Sequence, residues 1–163
     1  MGIVILLLAF AVICFVIAFF AKRNQNKLQS EGFDRKQMII NVKYACGHPD
    51  LNSPGFYNIG TKDKNVFLLN FRANIVAQIN GAEIKNIIVE DETTFTKKVT
   101  LTRMALVGIF AFALKKKEKN ELAYLTIQWN DGRFDHETVF EYEGNGSLQK
   151  ANSDRNKLIK AVR

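Results

Sequence analysis

A long apolar run opens the chain. Gly2 to Ala21 contains twenty residues without a charge, an amide or a hydroxyl group. A helix rises about 1.5 Å per residue, so this run would be about 30 Å long, which matches the hydrocarbon thickness of a bilayer. A cleaved signal peptide has a basic start, a shorter apolar core and a small-x-small site at its end. Here only one residue precedes the run, and the pair Ala9 and Ala11 lies in its middle. The pattern predicts an uncleaved transmembrane anchor over residues 1–23.

Positive charge follows the apolar run, and none precedes it. Lys22, Arg23 and Lys27 come directly after the anchor. Basic residues that flank a membrane helix favour the cytoplasmic side. We therefore expect a single-pass protein of the cell (plasma) membrane with its amino terminus outside and its carboxyl-terminal domain in the cytoplasm. These three residues form the expected juxtamembrane basic site.

Beyond the anchor the pattern of apolar positions changes. Residues 24–37 are polar and mixed in charge, and we expect a juxtamembrane linker that is a frayed helix end or a short tether. From residue 38 onward, short apolar runs alternate with turn signals, which is typical of an antiparallel sheet. Residues 38–163 are therefore expected to form one domain. The predicted strands cover residues 38–44, 56–59, 66–71, 74–79, 82–89, 122–129 and 134–142.

Turn sequences and alternation refine this sheet. Asn80-Gly81 suits a two-residue type I′ hairpin because both positions tolerate positive φ, and Asn130-Asp131-Gly132 would join the last two strands. Glu90 to Glu92 is expected to be an acidic turn. In the strand over residues 122–129 every second residue is apolar, so we expect one dry face and one wet face. The dry face would contain Ala123, Leu125, Ile127 and Trp129.

Two further segments are apolar or amphipathic. Val99 to Leu114 is the longest apolar stretch of the domain, and we interpret it as a strand covered on both faces. Periodicity cannot separate such a strand from a buried helix, so a helix stays an alternative for residues 104–114. The chain ends in a predicted amphipathic helix with Ser147 as its N-cap. Its apolar residues at helical spacing are Leu148, Ala151, Leu158, Ile159 and Val162.

The order of these elements resembles that of bacterial pleckstrin-homology-like domains. The resemblance covers residues 38–163, with about seven short strands joined mostly by hairpins and closed by one amphipathic helix. The stretches that carry it are Tyr44 to Leu51, Thr100 to Lys117 and Tyr124 to Trp129. It implies a mainly β fold, in which a bent antiparallel sheet or partly open barrel is capped by the last helix. It also implies a binding or scaffolding role without catalysis.

The basic residues of the domain lie outside the loop that lipid-binding members of this superfamily use. In those members the loop after the first strand is basic, whereas here it contains His48 and Asp50 and no Lys or Arg. The net charge of +7 is instead concentrated after the anchor and in residues 97–119. The cations of the second group are Lys97, Lys98, Arg103, Lys115, Lys116, Lys117 and Lys119.

This second basic group has two interpretations. Lysines at the ends of an apolar strand discourage edge pairing and aggregation, so the group is explained by solubility alone. Alternatively, the same residues form an anion-binding site for the membrane surface, where each contributes about 1 kcal/mol near an anionic leaflet. Because the domain is already tethered, such contacts would orient it rather than recruit it.

Other candidate chemistry is weaker. Cys46 and His48 are two residues apart, but a structural zinc site needs about four ligands. His136 stands between two carboxylates, yet adjacent residues of a strand point to opposite faces. Gly144 to Ser147 precedes a helix without a complete phosphate-loop pattern. Cys14 lies in the apolar run, so a disulfide with the second cysteine is not expected. We expect no catalytic residue, no cofactor and no metal.

Together these features predict a membrane-anchored cytoplasmic interaction module. Its expected partners are the membrane, anionic lipid headgroups and an unidentified protein, and nucleic acid is not expected. One alternative is a structural subunit of a membrane complex that oligomerises through its transmembrane helix, because small residues there form a stripe. A second alternative is an enzyme or small-ligand receptor with a pocket that the sequence does not show. The stripe contains Ala11, Cys14, Ala18 and Ala21.

Overall fold

The computed structural model describes residues 2–102 and 121–163, with the side chains of residues 4–97 and 121–163. The described chain is mainly β. The helices are α1 (Gly2–Ser30), α2 (Glu92–Thr102) and α3 (Ser147–Val162), with a short 3-10 helix at Gly81–Glu83. The strands are β1 (Ile39–Cys46), β2 (Gly55–Lys62), β3 (Asn65–Leu69), β4 (Ile75–Ile79), β5 (Ile84–Asp91), β6 (Leu122–Asn130) and β7 (Asp135–Glu143).

The seven strands form one open antiparallel sheet. Their order is β4-β3-β2-β1-β7-β6-β5, so the first strand lies beside the last and the described edges are β4 and β5. Lys43 of β1 pairs with Glu141 of β7, and their side chains form an ion pair of 2.6 Å in which the carboxylate is buried. The predicted fold class is confirmed: a seven-stranded antiparallel sheet, a carboxyl-terminal helix and a long apolar helix at the amino terminus.

The main core lies between one face of the sheet and α3. Ala151 and Leu158 of α3 are buried against it, whereas Leu148 is 44% exposed. The Tyr142 hydroxyl donates a hydrogen bond to Asp154, which also accepts one from Lys157. Burial of its ring, together with this carboxylate, raises the pKa of Tyr142 far above its ordinary value. Across all buried clusters of the described residues, the largest fully buried side chains are Tyr44, Tyr124, Phe140, Ile59, Leu68, Leu69, Ile79, Leu125, Ile127, Leu158, Val66 and Val139.

A second buried cluster covers the other face of β6. The four residues predicted for the dry face of β6 are buried, but Tyr124 and Thr126 on the opposite face are buried too. The prediction of a wet face is therefore wrong. The reason is α2, whose Phe95 stacks on Tyr124 with ring centroids 4.1 Å apart. Ala45, Cys46 and Val139 complete this cluster.

The segment before the basic group also differs from prediction. Glu90 to Glu92 is not a turn, because β5 continues to Asp91 and α2 begins at the next residue. Asp91 Oδ1 accepts a hydrogen bond from Thr94 N at 2.7 Å, which caps the helix and lowers the pKa of this carboxyl. The strand predicted from Val99 is wrong at its start, since residues 99–102 are helical. The rest of that stretch, residues 103–114, lies outside the described residues.

Asn80-Gly81 does not form the predicted hairpin. β4 and β5 lie at opposite edges of the sheet, and the dipeptide leads into the 3-10 helix between them. Asn80 is extended, and its side chain accepts a hydrogen bond from Ala82 N. A Cβ atom on Gly81 would lie 2.0 Å from the carbonyl oxygen of Lys64. The glycine therefore permits close backbone contact rather than a two-residue turn.

The last helix starts as predicted, but with another cap. The residue at the N-cap is Gly146, in the left-handed region with φ of 75°, and it makes no side-chain cap. Ser147 is the first helical residue, and its buried hydroxyl has no hydrogen-bond partner in residues 2–102 and 121–163. The turn Asn130-Asp131-Gly132 does join β6 to β7, as predicted.

Candidate functional site at the end of the apolar helix

The amino-terminal helix is long and apolar enough to cross a membrane. Val4–Ser30 meets this description by length and composition, and none of its apolar window is buried inside the structure. The helix continues for nine residues beyond Ala21, which ends the apolar run. Among the described residues, the side-chain hydrogen bonds from α1 to the turn of the sheet at residues 70–74 come from its polar end.

Hydrogen bonds join the polar end of α1 to two turns of the sheet. Asn24 Nδ2 donates to the carbonyl oxygen of Phe71 at 3.0 Å, and Lys27 Nζ donates to Asn74 Oδ1. Further along, Lys62 Nζ donates to the carbonyl oxygen of Glu31 at 3.0 Å. The helix thus runs from the β3–β4 turn toward the β2–β3 turn, and the end of the apolar run lies next to the β3–β4 turn.

An aromatic contact fixes the segment after α1. Phe33 is 5% exposed and packs edge-to-face on Phe67, with ring centroids 5.4 Å apart. Met38 and Leu69 complete this small cluster. A Cβ atom on Gly60 would lie 2.7 Å from the Phe33 ring, so the ring lies directly on the β2 backbone. The segment expected to be a frayed end or tether is a regular helix to Ser30, followed by a packed turn.

The β3–β4 turn carries an exposed phenylalanine and an exposed arginine. Asn70 Oδ1 accepts hydrogen bonds from Arg72 N at 2.9 Å and from Asn74 N at 3.1 Å. Phe71 is 76% exposed, and the Arg72 guanidinium carbon lies 5.4 Å from the centre of its ring. We call residues 22–33 together with the turn 70–75 the helix-end surface.

The predicted juxtamembrane cations all lie on the helix-end surface. Lys22 and Arg23 are exposed, whereas Lys27 is half-buried and bound to Asn74. The two exposed cations have no acidic partner among the described residues. Exposed positive charge therefore lies directly after the end of the apolar run on α1.

The second predicted basic group is mostly beyond the described residues. Lys97 is exposed on α2, and Lys98 lies on the same helix with its side chain outside the described set. Helix α2 contacts β5 and β6, whereas the helix-end surface contacts β2, β3 and β4. The remaining members, Arg103, Lys115, Lys116, Lys117 and Lys119, lie in residues 103–120, which the structure does not describe.

An open groove borders the helix-end surface on one side. Its volume is about 670 Å³. It carries two cations and one carboxylate, so its net charge is positive. The lining residues are Gln25, Leu28, Gln29, Gly32, Phe33, Asp34, Arg35, Lys36 and Ile40.

Both histidines lie close to the single tryptophan. The ring centroid of Trp129 is 5.3 Å from that of His48 and 4.4 Å from that of His136. His48 Nδ1 accepts a hydrogen bond from Asp50 N, so Nε2 carries the proton and donates to the Gln78 carbonyl oxygen at 3.2 Å. Burial lowers the pKa of His48, because the charged form loses its hydration.

This histidine cluster is arranged for packing. His136 Nε2 lies 2.9 Å from Asp131 Oδ2, and hydrogen bonds from this ring and from the backbone of the turn lower the pKa of Asp131 to about 2. Cys46 is buried in the cluster around α2. Within residues 2–102 and 121–163, no three His, Cys, Asp or Glu side chains are grouped to hold a metal ion. Both histidines therefore have structural contacts that account for their positions.

Sequence reasoning missed Phe71, Arg72 and Asn24 as site residues. Phe71 was expected to end a strand, but β3 stops at Leu69. The available signal was an apolar residue followed by Arg-Ala-Asn, which is a turn sequence. The comparison with known proteins adds no family: no family model matches the chain, and no curated protein matches it in sequence.

Proposed function

We propose that this protein is a membrane-anchored interaction module. Helix α1 crosses the plasma membrane once, with the amino terminus outside, and holds a pleckstrin-homology-like domain in the cytoplasm. The domain binds a protein partner and catalyses no reaction. The observation that carries this proposal is an apolar helix with an unburied surface that joins a sheet domain through a packed, hydrogen-bonded junction.

The sheet order supports the choice of domain class. Strands β1 to β4 and strands β5 to β7 form two runs of neighbouring antiparallel strands, the last strand lies beside the first, and the terminal helix covers the core. The sequence resemblance implies this order of elements. Such a domain presents loops and edges for binding on a rigid frame, and binding residues are concentrated in such positions.

We also propose that the cations over residues 97–119 contact anionic lipid headgroups. Lys97 is exposed on α2, which is consistent with this role. If these residues orient the domain, a Lys115→Gln, Lys116→Gln, Lys117→Gln variant of the full chain should lose the response of domain orientation to anionic lipid. The response is measured as a change in spin-label accessibility on α2 between anionic and neutral vesicles. An unchanged response would remove this part of the proposal.

Site-specific crosslinking tests the proposal that the domain binds a protein. A photo-reactive amino acid is placed at exposed positions across the domain, Phe56, Phe134 and Leu148 among them, in the full chain in native membranes. The matched position in the apolar helix is Ala18. We expect a discrete protein adduct from at least one face of the domain. Adducts from Ala18 alone would overturn domain binding in favour of a structural subunit, and the lack of any protein adduct would overturn both.

A further inference from the structure

We propose that the β3–β4 turn is a second membrane-contact site, in which Phe71 enters the headgroup–acyl boundary and Arg72 binds lipid phosphate. This inference rests on the proposed anchoring by α1. The occupant is the lipid bilayer itself, at the leaflet where α1 emerges. The contact would fix the orientation of the domain relative to the membrane.

Depth is the first argument. Asn24 lies three residues beyond the end of the apolar run, which is about 4.5 Å along the helix axis. The polar layer on each side of a bilayer is about 5–7 Å thick. The Asn24 side chain is hydrogen-bonded to the carbonyl oxygen of Phe71 at 3.0 Å, so the turn lies beside a residue at headgroup depth. The exposed Phe71 ring is therefore within reach of the acyl boundary.

Pre-organisation is the second argument. Asn70 accepts two hydrogen bonds from the turn backbone, and Ala73 has a φ of 58° and donates to the carbonyl oxygen of Asn70. Lys27 holds Asn74 from the helix side. The turn is thus attached both to itself and to α1. A fixed turn loses little conformational entropy when its side chains contact lipid.

The chemistry of the exposed side chains is the third argument. A large apolar ring in water is unfavourable, and its transfer to an apolar environment is favourable. Interfacial segments combine aromatic and apolar residues on one side with Lys or Arg on the other. The Phe71–Arg72 pair has this composition, with Ile75 46% exposed beside it and Lys22 and Arg23 at the same level. A phosphate-bearing leaflet satisfies all of these groups at once.

Tryptophan fluorescence tests the contact in the full chain. Phe71→Trp is reconstituted in phosphatidylcholine–phosphatidylglycerol vesicles with and without a lipid that carries a nitroxide near the headgroup. The matched control is Leu148→Trp, an exposed position at the start of α3. Trp129 is 4% exposed and present in both variants. The emission of the parent chain, whose single tryptophan is Trp129, is therefore subtracted from the emission of each variant.

The expected result is a blue-shifted emission for Trp at position 71 and quenching by the nitroxide lipid at least about twofold stronger than at position 148. Stronger quenching by aqueous iodide at position 71 than by the nitroxide lipid would overturn the inference. A photo-reactive group at position 71 in native membranes gives a second readout. A protein adduct without a lipid adduct would also overturn the inference, since the turn would then be a protein-docking site.

Flotation separates this inference from the proposed anchoring. If the parent chain fails to float with the vesicles after an alkaline wash, anchoring by α1 fails, and the lipid contact fails with it. If the parent chain floats but Trp at position 71 is exposed to water, only the lipid contact of the turn is overturned. Phe71→Ser supplies a second measurement, because a spin label at Ile75→Cys, a 46% exposed position beside the turn, in a Cys14→Ser chain should become more accessible to water in that variant.

Discussion

At the scale of single residues, Gly47 is held where no side chain fits. Its φ is +93°, and a Cβ atom there would lie 1.8 Å from the carbonyl oxygen of Glu137 on β7. Gly132 has a similar φ of +90°, but a Cβ atom there would meet nothing within 4 Å. The two glycines therefore separate the cost of the backbone conformation from the cost of a backbone clash.

Alanine at each position should show this separation. We expect Gly132→Ala to lower the free energy of unfolding by about 1–2 kcal/mol, the usual cost of a left-handed L-residue. Gly47→Ala should cost more, about 3 kcal/mol or above, because the strands at the β1–β7 pairing must also move apart. Chemical denaturation of the two variants in the same detergent measures both values. Equal losses would mean that the loop relaxes freely and that the contact with Glu137 does not constrain it.

His48 should make stability depend on pH. Burial lowers its pKa, so the unfolded chain takes up this proton at a higher pH than the folded chain does. Above the ordinary histidine pKa of about 6.5 both states are neutral, and stability is complete. As the pH falls below 6.5, stability is lost, by at most about 1.4 kcal/mol per pH unit. The charge of Asp50 opposes this lowering of the pKa of His48, and the charge of His136 adds to it.

His48→Gln should flatten this dependence. Its absolute stability will be lower, because the contacts with Trp129 and Gln78 are lost. The measurement is therefore the change in unfolding free energy between pH 7.5 and 5.5 in parent and variant. A slope as steep in the variant as in the parent would show that other groups, and not His48, carry the acid sensitivity.

At the scale of elements, the junction between α1 and the sheet depends on Phe33. A buried phenylalanine replaced by alanine loses about 3–5 kcal/mol of packing. The hydrogen bonds of Asn24 and Lys27, the Lys62 contact and the packing of Leu28 would then remain among the described residues. We expect Phe33→Ala to free α1 from the domain while both remain folded.

Distances between spin labels measure this release. Labels at Gln25→Cys and Asp63→Cys, in a Cys14→Ser chain, should give a narrow distance distribution that broadens in Phe33→Ala. Phe134→Ala is the control, because that ring is 67% exposed in the turn between β6 and β7. A narrow distribution in Phe33→Ala would show that polar contacts alone fix the helix.

The kinds of element were more predictable than their contacts. Each of the seven described strands overlaps a predicted one, because alternation and turn residues are local signals. The wet face assigned to β6 was wrong because Phe95 of α2 covers Tyr124, and no local pattern shows which helix covers a strand. The Asn80-Gly81 hairpin was wrong for the same kind of reason, since the contact of Gly81 with Lys64 is tertiary.

At the scale of the whole molecule, the positive charges after the apolar run are the basis for the orientation that we propose. Lys22 and Arg23 are exposed at the end of α1 that carries the domain. We expect a reporter fused after Arg163 to read out in the cytoplasm and one fused before the apolar run to read out on the other side. Signals on the reversed sides would overturn the orientation and the anionic-leaflet contacts that depend on it.

Only part of the candidate site could be predicted from the sequence, because its two parts lie far apart along the chain. The cations at residues 22, 23 and 27 follow from charge next to an apolar run. The β3–β4 turn is about fifty residues away in sequence, and the contacts of Asn24 with Phe71 and of Lys27 with Asn74 bring it to the same level. Neither residue has a pattern that points to the other.

The pairing of β1 with β7 sets an order of events during synthesis. Lys43 cannot meet Glu141 until the ribosome has made the chain through β7, whereas α1 leaves the exit tunnel before any of the strands. Contacts so distant in sequence form slowly because a long loop must close. The pairing of β1 is thus completed only after β7 has been made, and a nascent chain arrested before β7 would leave β1 with an unpaired edge open to chaperones and proteases.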